Sequence, residues 1–215
     1  MTTEAAPRTR SERTAGSRLL ILDAAVACLV EDGYAGASTL AVQARAGVSR
    51  GRLLHHFPSR AELLVAAAGH LSTTLLADVR SRAAAVMADQ PTGRERIDRA
   101  IELMWATFQE PPFWAAMELW TAARTDPELK AALRSEERRL RTAIRAVADE
   151  IWGPEIAVAP LYAELCQLLF TSMRGVAIVY AFEDRPAATD PHVALWKRLA
   201  HRMLALDPPE GPFSP

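Results

Sequence analysis

Four side chains able to carry or share positive charge, Arg50, Arg52, His55 and His56, fall in one short run, RGRLLHH. Arginine presents a planar fork of donors that suits phosphate oxygens and the O6/N7 edge of guanine, so the run reads as a face for nucleic acid. The competing chemistry is a metal pair on the two histidines. Neighbouring positions on a helix point in different directions, and no cysteine or carboxylate stands at ligand spacing, so no metal site is expected. No glycine-rich phosphate loop, serine elbow or paired-acid constellation is visible either. No catalytic residue, no cofactor and no enzyme are expected.

The run needs elements to hold it. Ser49 precedes it and can cap a short helix from 49 to about 57, aiming the positive end of that helix outward. Before it, Ser38 opens another short helix to Ala46, and Gly47 supplies the positive-φ position of a tight turn. Val42, Val48 and Leu53 are spaced to fill a small core against a first helix from Ser17 to about residue 32, whose face is Leu19, Leu22, Val26 and Leu29 and which Gly33 ends. Pro58 stops the third helix, and Ser59-Arg60-Ala61-Glu62 is a capping box for a long fourth one.

Farther along, Thr92-Gly93-Arg94-Glu95 is a second capping box. Pro111-Pro112 begins a new helix, and Asp126-Pro127 and Asp190-Pro191 each place a capping aspartate before a first-turn proline. Nothing alternates like a strand. The expectation is an all-α protein of about nine helices: an arm at 1–13 and a tail at 207–215, both disordered, a three-helix helix-turn-helix unit at 14–60, and a ligand-binding and dimerisation domain at 61–206.

Composition fits. Residues 1–60 hold eight arginines against five acids, and residues 61–215 hold seventeen basic against twenty-one acidic side chains, a basic front on an acidic rear. The front has no apolar leader, and the longest apolar runs, such as 19–30, are too short for a bilayer, so no membrane partner and a cytoplasmic location are expected. Cys28 and Cys166 sit in apolar helical patterns and read as small core residues.

Residues 38–64, STLAVQARAGVSRGRLLHHFPSRAELL, resemble the DNA-binding segment of TetR/AcrR-type helix-turn-helix transcriptional regulators, and the likeness extends back through Ala24-Ala25 and Asp32-Gly33-Tyr34. The resemblance implies double-stranded operator DNA as partner. It implies phosphate contacts from Thr39, His56 and Arg60, with Arg50, Arg52 and His55 reading base edges or nearby phosphates; Ser49, capping that helix, counts among the DNA-binding residues. Leu54 stands where such regulators usually carry a phosphate-binding Tyr, which leaves it apolar contact with a sugar or thymine methyl. Gln43 stands where a small residue is usual.

The rear half is less explicit. Met104, Trp105, Phe108, Met117 and Trp120 cluster around Pro111-Pro112; with Leu168 they are either core or the walls of a pocket for a small apolar effector. Glu102, Glu118, Arg124 and Tyr162 are candidates to orient it. Leu161, Leu165, Leu168, Ser172, Gly175 and Val179 form one helical stripe, and Trp196, Leu199 and Met203, with Val193 and Ala200, form another. In the family these two helices make a homodimer seam. The reading that results is a ligand-responsive repressor released from a palindromic operator. The alternatives are a DNA-binding regulator without an effector, and a helical enzyme or carrier with a remnant helix-turn-helix, which only Leu54 and Gln43 support.

Overall fold

A computed structural model describes residues 10–183 and 186–204, with side chains from residue 15 onward. Among them there is no strand. Ten α-helices follow one another: α1 Arg10–Gly36, α2 Thr39–Ala46, α3 Arg50–His56, α4 Arg60–Val86, α5 Gly93–Thr107, α6 Pro111–Ala123, α7 Pro127–Trp152, α8 Pro154–Ala157, α9 Tyr162–Val179 and α10 Pro191–Met203. The all-α expectation holds. Residues 1–9 of the expected arm and the expected tail lie outside the described residues, whereas Arg10–Arg13 belong to α1.

Most caps form as the sequence implies. Ser38 Oγ accepts from Ala41 N–H (3.1 Å), Ser49 Oγ from Arg52 N–H (3.3 Å) and Ser59 Oγ from Glu62 N–H (3.1 Å). Asp126 and Asp190 cap α7 and α10 through Leu129 N–H and His192 N–H. Two expectations fail. Ser17 is no cap: it sits inside α1, buried, with its hydroxyl turned inward to a side-chain partner, which is how serine is tolerated within a helix. Thr92 makes no side-chain cap bond, and Glu95, its intended reciprocal partner, is taken by Arg99 at 2.5 Å.

The chain divides into two compact units. One joins the residues up to Thr74 with Trp114–Leu140, and the other joins Leu75–Phe113 with Arg141 onward. The first unit runs past residue 60, because the front core is completed from later helices. Ile21, Leu22, Ala25 and Leu29 of α1, Val42 of α2 and Leu53 of α3 are buried with Phe57, with Leu63, Leu64 and Ala67 of α4, with Ala115 and Leu119 of α6 and with Leu129 of α7. The buried stripe of α1 runs through 21, 25, 28 and 29, so Leu19, expected inside, lies outside at 49 % exposure. α4 is long and apolar enough by length and composition to cross a membrane, unlike the 19–30 run, but Leu63, Leu64 and Ala67 are fully buried in this core.

In the second unit α10 packs on α5 and α9, around Ile97, Ile101, Trp105, Leu165, Leu169, Met173 and Trp196. α9 has two faces. Leu165, Leu169, Met173 and Ala177 recur every fourth residue and are buried, whereas Leu161, Leu168, Gly175, Ile178, Val179 and Phe182 are exposed. The stripe read from sequence mixes the two, so Leu165 offers no outer surface. Trp196 is likewise spent inward: it is buried and its indole N–H donates to Ser172 Oγ at 2.9 Å. Leu199 and Met203 are half-buried on α10.

Candidate nucleic-acid interface

The turn between α2 and α3 is set by Gly47, which lies in the left-handed region at φ 63°, ψ 31°; its N–H and that of Val48 return to the carbonyls of Ala44 and Gln43, both at 3.3 Å. A glycine there closes α2 without a Cβ penalty and lets α3 leave at once. Val42 and Leu53, each almost fully buried, pin the two short helices to α1. Arg45 and Glu31 add a two-pronged ion pair, at 2.6 and 2.5 Å, between α2 and α1.

With Leu53 turned inward, α3 presents Arg50, Gly51, Arg52, Leu54 and His55 to solvent. Ser49, also exposed, caps the start of α3, so a positive dipole end and two arginines share one surface. Thr39 is half-buried at the start of α2.

Two residues placed on this surface by resemblance have internal partners instead. His56 is half-buried, and its Nε2 and Ser17 Oγ share a 2.8 Å hydrogen bond that ties the end of α3 to α1. Burial, followed by the charges of His55, Arg18 and Arg52, holds His56 below the ordinary histidine range. Arg60 lies 4.1 Å above the Tyr34 ring and donates from Nε to the Ala37 carbonyl at 3.1 Å and from Nη2 to the Tyr34 carbonyl. Both tie the helix-turn-helix to its neighbours within the fold. Arg18, for which the sequence offers no local signal, is exposed on α1 with its guanidinium 5.4 Å from the Phe57 ring. It adds a cation near the end of α3.

The brace continues at the bend of α1. Gly33 departs from helical geometry at φ 68°, ψ −173°, and a Cβ there would lie 3.0 Å from Glu118 Oε2. That carboxylate accepts from Tyr34 N–H at 2.9 Å, and the Tyr34 hydroxyl donates to Asp126 Oδ2 at 3.2 Å. Glu118, a candidate to orient an effector, thus holds the bend of α1. Trp120 donates its indole N–H to Glu137 in the same unit.

The residues expected to wall a pocket are divided. Met117 and Trp120 belong to the unit that holds the reading head, and Met104, Trp105, Phe108 and Leu168 to the other. Trp105 is buried, donates to the Ala187 carbonyl at 2.8 Å and stacks near Tyr180 and Trp196. Phe108 is buried between Phe113 and Phe170. Leu168 is 43 % exposed. Two of the candidate orienting groups are also engaged: Tyr162 is buried with its hydroxyl on Asp149 at 2.9 Å, and Glu102 accepts from Lys197 at 2.5 Å.

The helix-turn-helix matches a family of known proteins. Residues 21–67 match the model of bacterial regulatory proteins of the tetR family. Over 176 residues the chain is 31 % identical to the HTH-type transcriptional regulator CymR of Pseudomonas putida, covering 80 % of this chain and 82 % of that one. The chain belongs to the TetR family. It is a DNA-binding transcriptional regulator, and its relatives are regulators rather than enzymes. Among solved TetR-like structures, a putative TetR-family regulator from Mesorhizobium loti superposes with a TM-score of 0.64 at 16 % identity, covering 93 % of this chain and 96 % of that one. The multidrug binding protein EbrR, solved with imidazole, gives 0.56 at 21 % identity, covering 90 % and 97 %. Both likenesses are of fold alone.

Proposed function

We propose that this regulator is a cytoplasmic, homodimeric repressor that occupies a palindromic operator through α3 of each subunit and leaves it when a small, largely apolar effector binds the rear of the molecule. The observation that carries the reading is the outward face of α3: two arginines, a histidine and a capped N-terminus on a rigidly braced short helix, with no carboxylate among its residues. Two such helices in successive major grooves require two subunits. The exposed apolar face of α9 is suited to that pairing, and Leu168, Gly175 and Val179 lie on it.

The effector is supported by kinship of fold. EbrR was solved with imidazole, and another neighbour, from Saccharomonospora viridis, with choline. In the second unit of this chain a cleft of about 200 Å³ opens between α4, α5 and α7, lined by Ala83, Ala84, Met87 and Ile151 with Arg80, Arg96 and Glu150 at its polar side. A second reading, a regulator with no small-molecule effector, is favoured by the inward packing of Trp105 and Phe108.

Anisotropy titrations with the duplex upstream of its own gene test the DNA half. Binding with a steep salt dependence supports it, and no preference over scrambled DNA removes it. Trp fluorescence against a panel of aromatic and acyl compounds, followed by release of that duplex, separates the two readings of the rear domain, because only a compound favouring one conformer shifts occupancy.

A further inference from the structure

α7 carries a row of cations that the fold does not call for. Lys130, Arg134, Arg138, Arg141 and Arg145 follow one another at steps of four, four, three and four residues, the spacing that keeps side chains on one line of a helix. All five are exposed, and at 1.5 Å per residue the row is about 22 Å long. The inner face of the same helix is apolar, with Leu129, Leu133, Val147 and Ile151 buried. The carboxylates in between turn off the row. Glu136 is half-buried against Gly69 of α4, where a Cβ would lie 3.0 Å from its Oε2, and pairs with Arg139 at 2.9 Å. Glu137 accepts the indole N–H of Trp120. Asp149, past the end of the row, pairs with Arg145 at 3.0 Å. Like charges three and four residues apart weaken a helix, so neither helix formation nor packing selects this row, in a chain whose net charge is −1.

What the row can bind follows from its neighbours. Among the described residues, none of the exposed large apolar side chains lies on α7. A helix that sinks into a lipid surface needs an apolar face there, and a protein interface needs bulky anchors. Beside its cations, the exposed face of α7 offers Ala131, Ser135, Thr142 and Ala146. Small side chains leave the guanidinium forks standing clear, and that fork suits phosphate oxygens. The length of the row corresponds to about six base-pair steps of a duplex. Leu53 of α3 and Leu129 and Leu133 of α7 enter one core, so the two helices are separate walls of the same unit and turn their exposed faces away from it. We propose that α7 is a second, sequence-independent DNA-binding face: while α3 holds the operator, the row on α7 grips the phosphates of another duplex segment, and the regulator bridges two stretches of DNA. The bridge rests on α3 as the operator-binding helix, whereas the contact made by α7 does not.

The test uses the full chain, an immobilised duplex that it selects from a randomised library, and a labelled duplex of scrambled sequence in solution. Wild type on the selected duplex is expected to retain the scrambled one, less so as salt rises. Lys130→Gln/Arg134→Gln/Arg141→Gln binds the selected duplex with unchanged affinity, melts no lower than the wild type because like charges are removed, and retains at least about tenfold less scrambled duplex. In a second arm Arg50→Ala/Arg52→Ala, impaired at α3, still binds the scrambled duplex directly. Adding the three α7 changes lowers the slope of log affinity against log salt by about three, about 0.9 for each phosphate contact. No retention by the wild type, or retention that the α7 changes leave intact, overturns the proposal. Selected-duplex affinity that falls along with retention overturns it too, because the row would then lie on the operator itself. Binding to phosphatidylserine vesicles that the α7 changes abolish, without DNA retention, gives the row to a lipid surface and rejects the bridge. If the library yields no enriched sequence, the assignment of α3 fails, and the second arm still decides whether α7 binds DNA.

Discussion

Arg50 and Arg52 stand two residues apart on α3, so they project in different directions and meet different parts of the duplex. Replacing either with alanine is expected to weaken operator binding by about 1–3 kcal/mol, and at least one replacement relaxes base preference. Titrations on operator and scrambled duplexes decide this, and unchanged affinity in both variants would remove α3 from the interface. Arg60 behaves differently. Its guanidinium holds the carbonyls of Tyr34 and Ala37 and covers the Tyr34 ring, so Arg60→Ala is expected to lower the melting temperature of the free protein as well as its DNA affinity. His56 brings a pH dependence. Its folded-state pKa lies below the ordinary 6.5, so an unfolded chain takes up the proton first. The residue's contribution to stability is therefore full above that value and is lost as pH falls below it. The melting-temperature gap between wild type and His56→Gln should narrow from about pH 7.5 to about pH 5.5; a gap that stays constant or widens would contradict the assignment.

Among the elements, the bend in α1 is the most constrained. Gly33 occupies a backbone region open almost only to glycine, and its missing Cβ makes room for the Glu118 carboxylate. Gly33→Ala is expected to cost about 1–3 kcal/mol by chemical denaturation, with Tyr34→Phe losing about 1 kcal/mol through the Asp126 bond. A neutral Gly33→Ala would mean that the bend relaxes freely. These contacts also show what the sequence could not reveal. The helix-turn-helix was legible because its signals are local: Ser38, Gly47, Ser49, Ser59 and Glu62 each act within four residues of themselves. Glu118 and Asp126 act on Tyr34 from 84 and 92 residues away, and no spacing rule links them. Ser17 misled for the same reason, since its partner is His56, 39 residues on. The aromatic cluster around Pro111-Pro112 was visible as composition, but which side chains face inward depends on helix packing that composition does not encode.

For the whole molecule, the outward face of α9 and its flanks carries a run of exposed apolar side chains. Leu161, Leu168, Ile178, Val179 and Phe182 are each more than a third exposed, and Leu195 of α10 is too. Burying them against a second copy would remove an apolar patch that isolated soluble chains rarely carry. Light scattering on the full chain is expected to give twice its 23.5 kDa. Leu168→Glu should give monomer or aggregate, because the carboxylate would be buried without a partner. A Leu168→Glu dimer of wild-type affinity would place the pairing surface elsewhere.

The front core draws Leu63, Leu64 and Ala67 from α4, Ala115 and Leu119 from α6 and Leu129 from α7. This bears on how such regulators can be recombined. A chimera that grafts the first sixty residues onto another regulator's rear would carry every exposed side chain of α3 and still leave Leu53, Phe57 and the α1 stripe facing a foreign lining. The front unit of this chain is therefore not a portable cassette. A working graft must bring the first half of α4 and the α6–α7 corner with it, and a natural lineage that exchanged only the motif would have had to repack that lining before the new reading head could hold its shape.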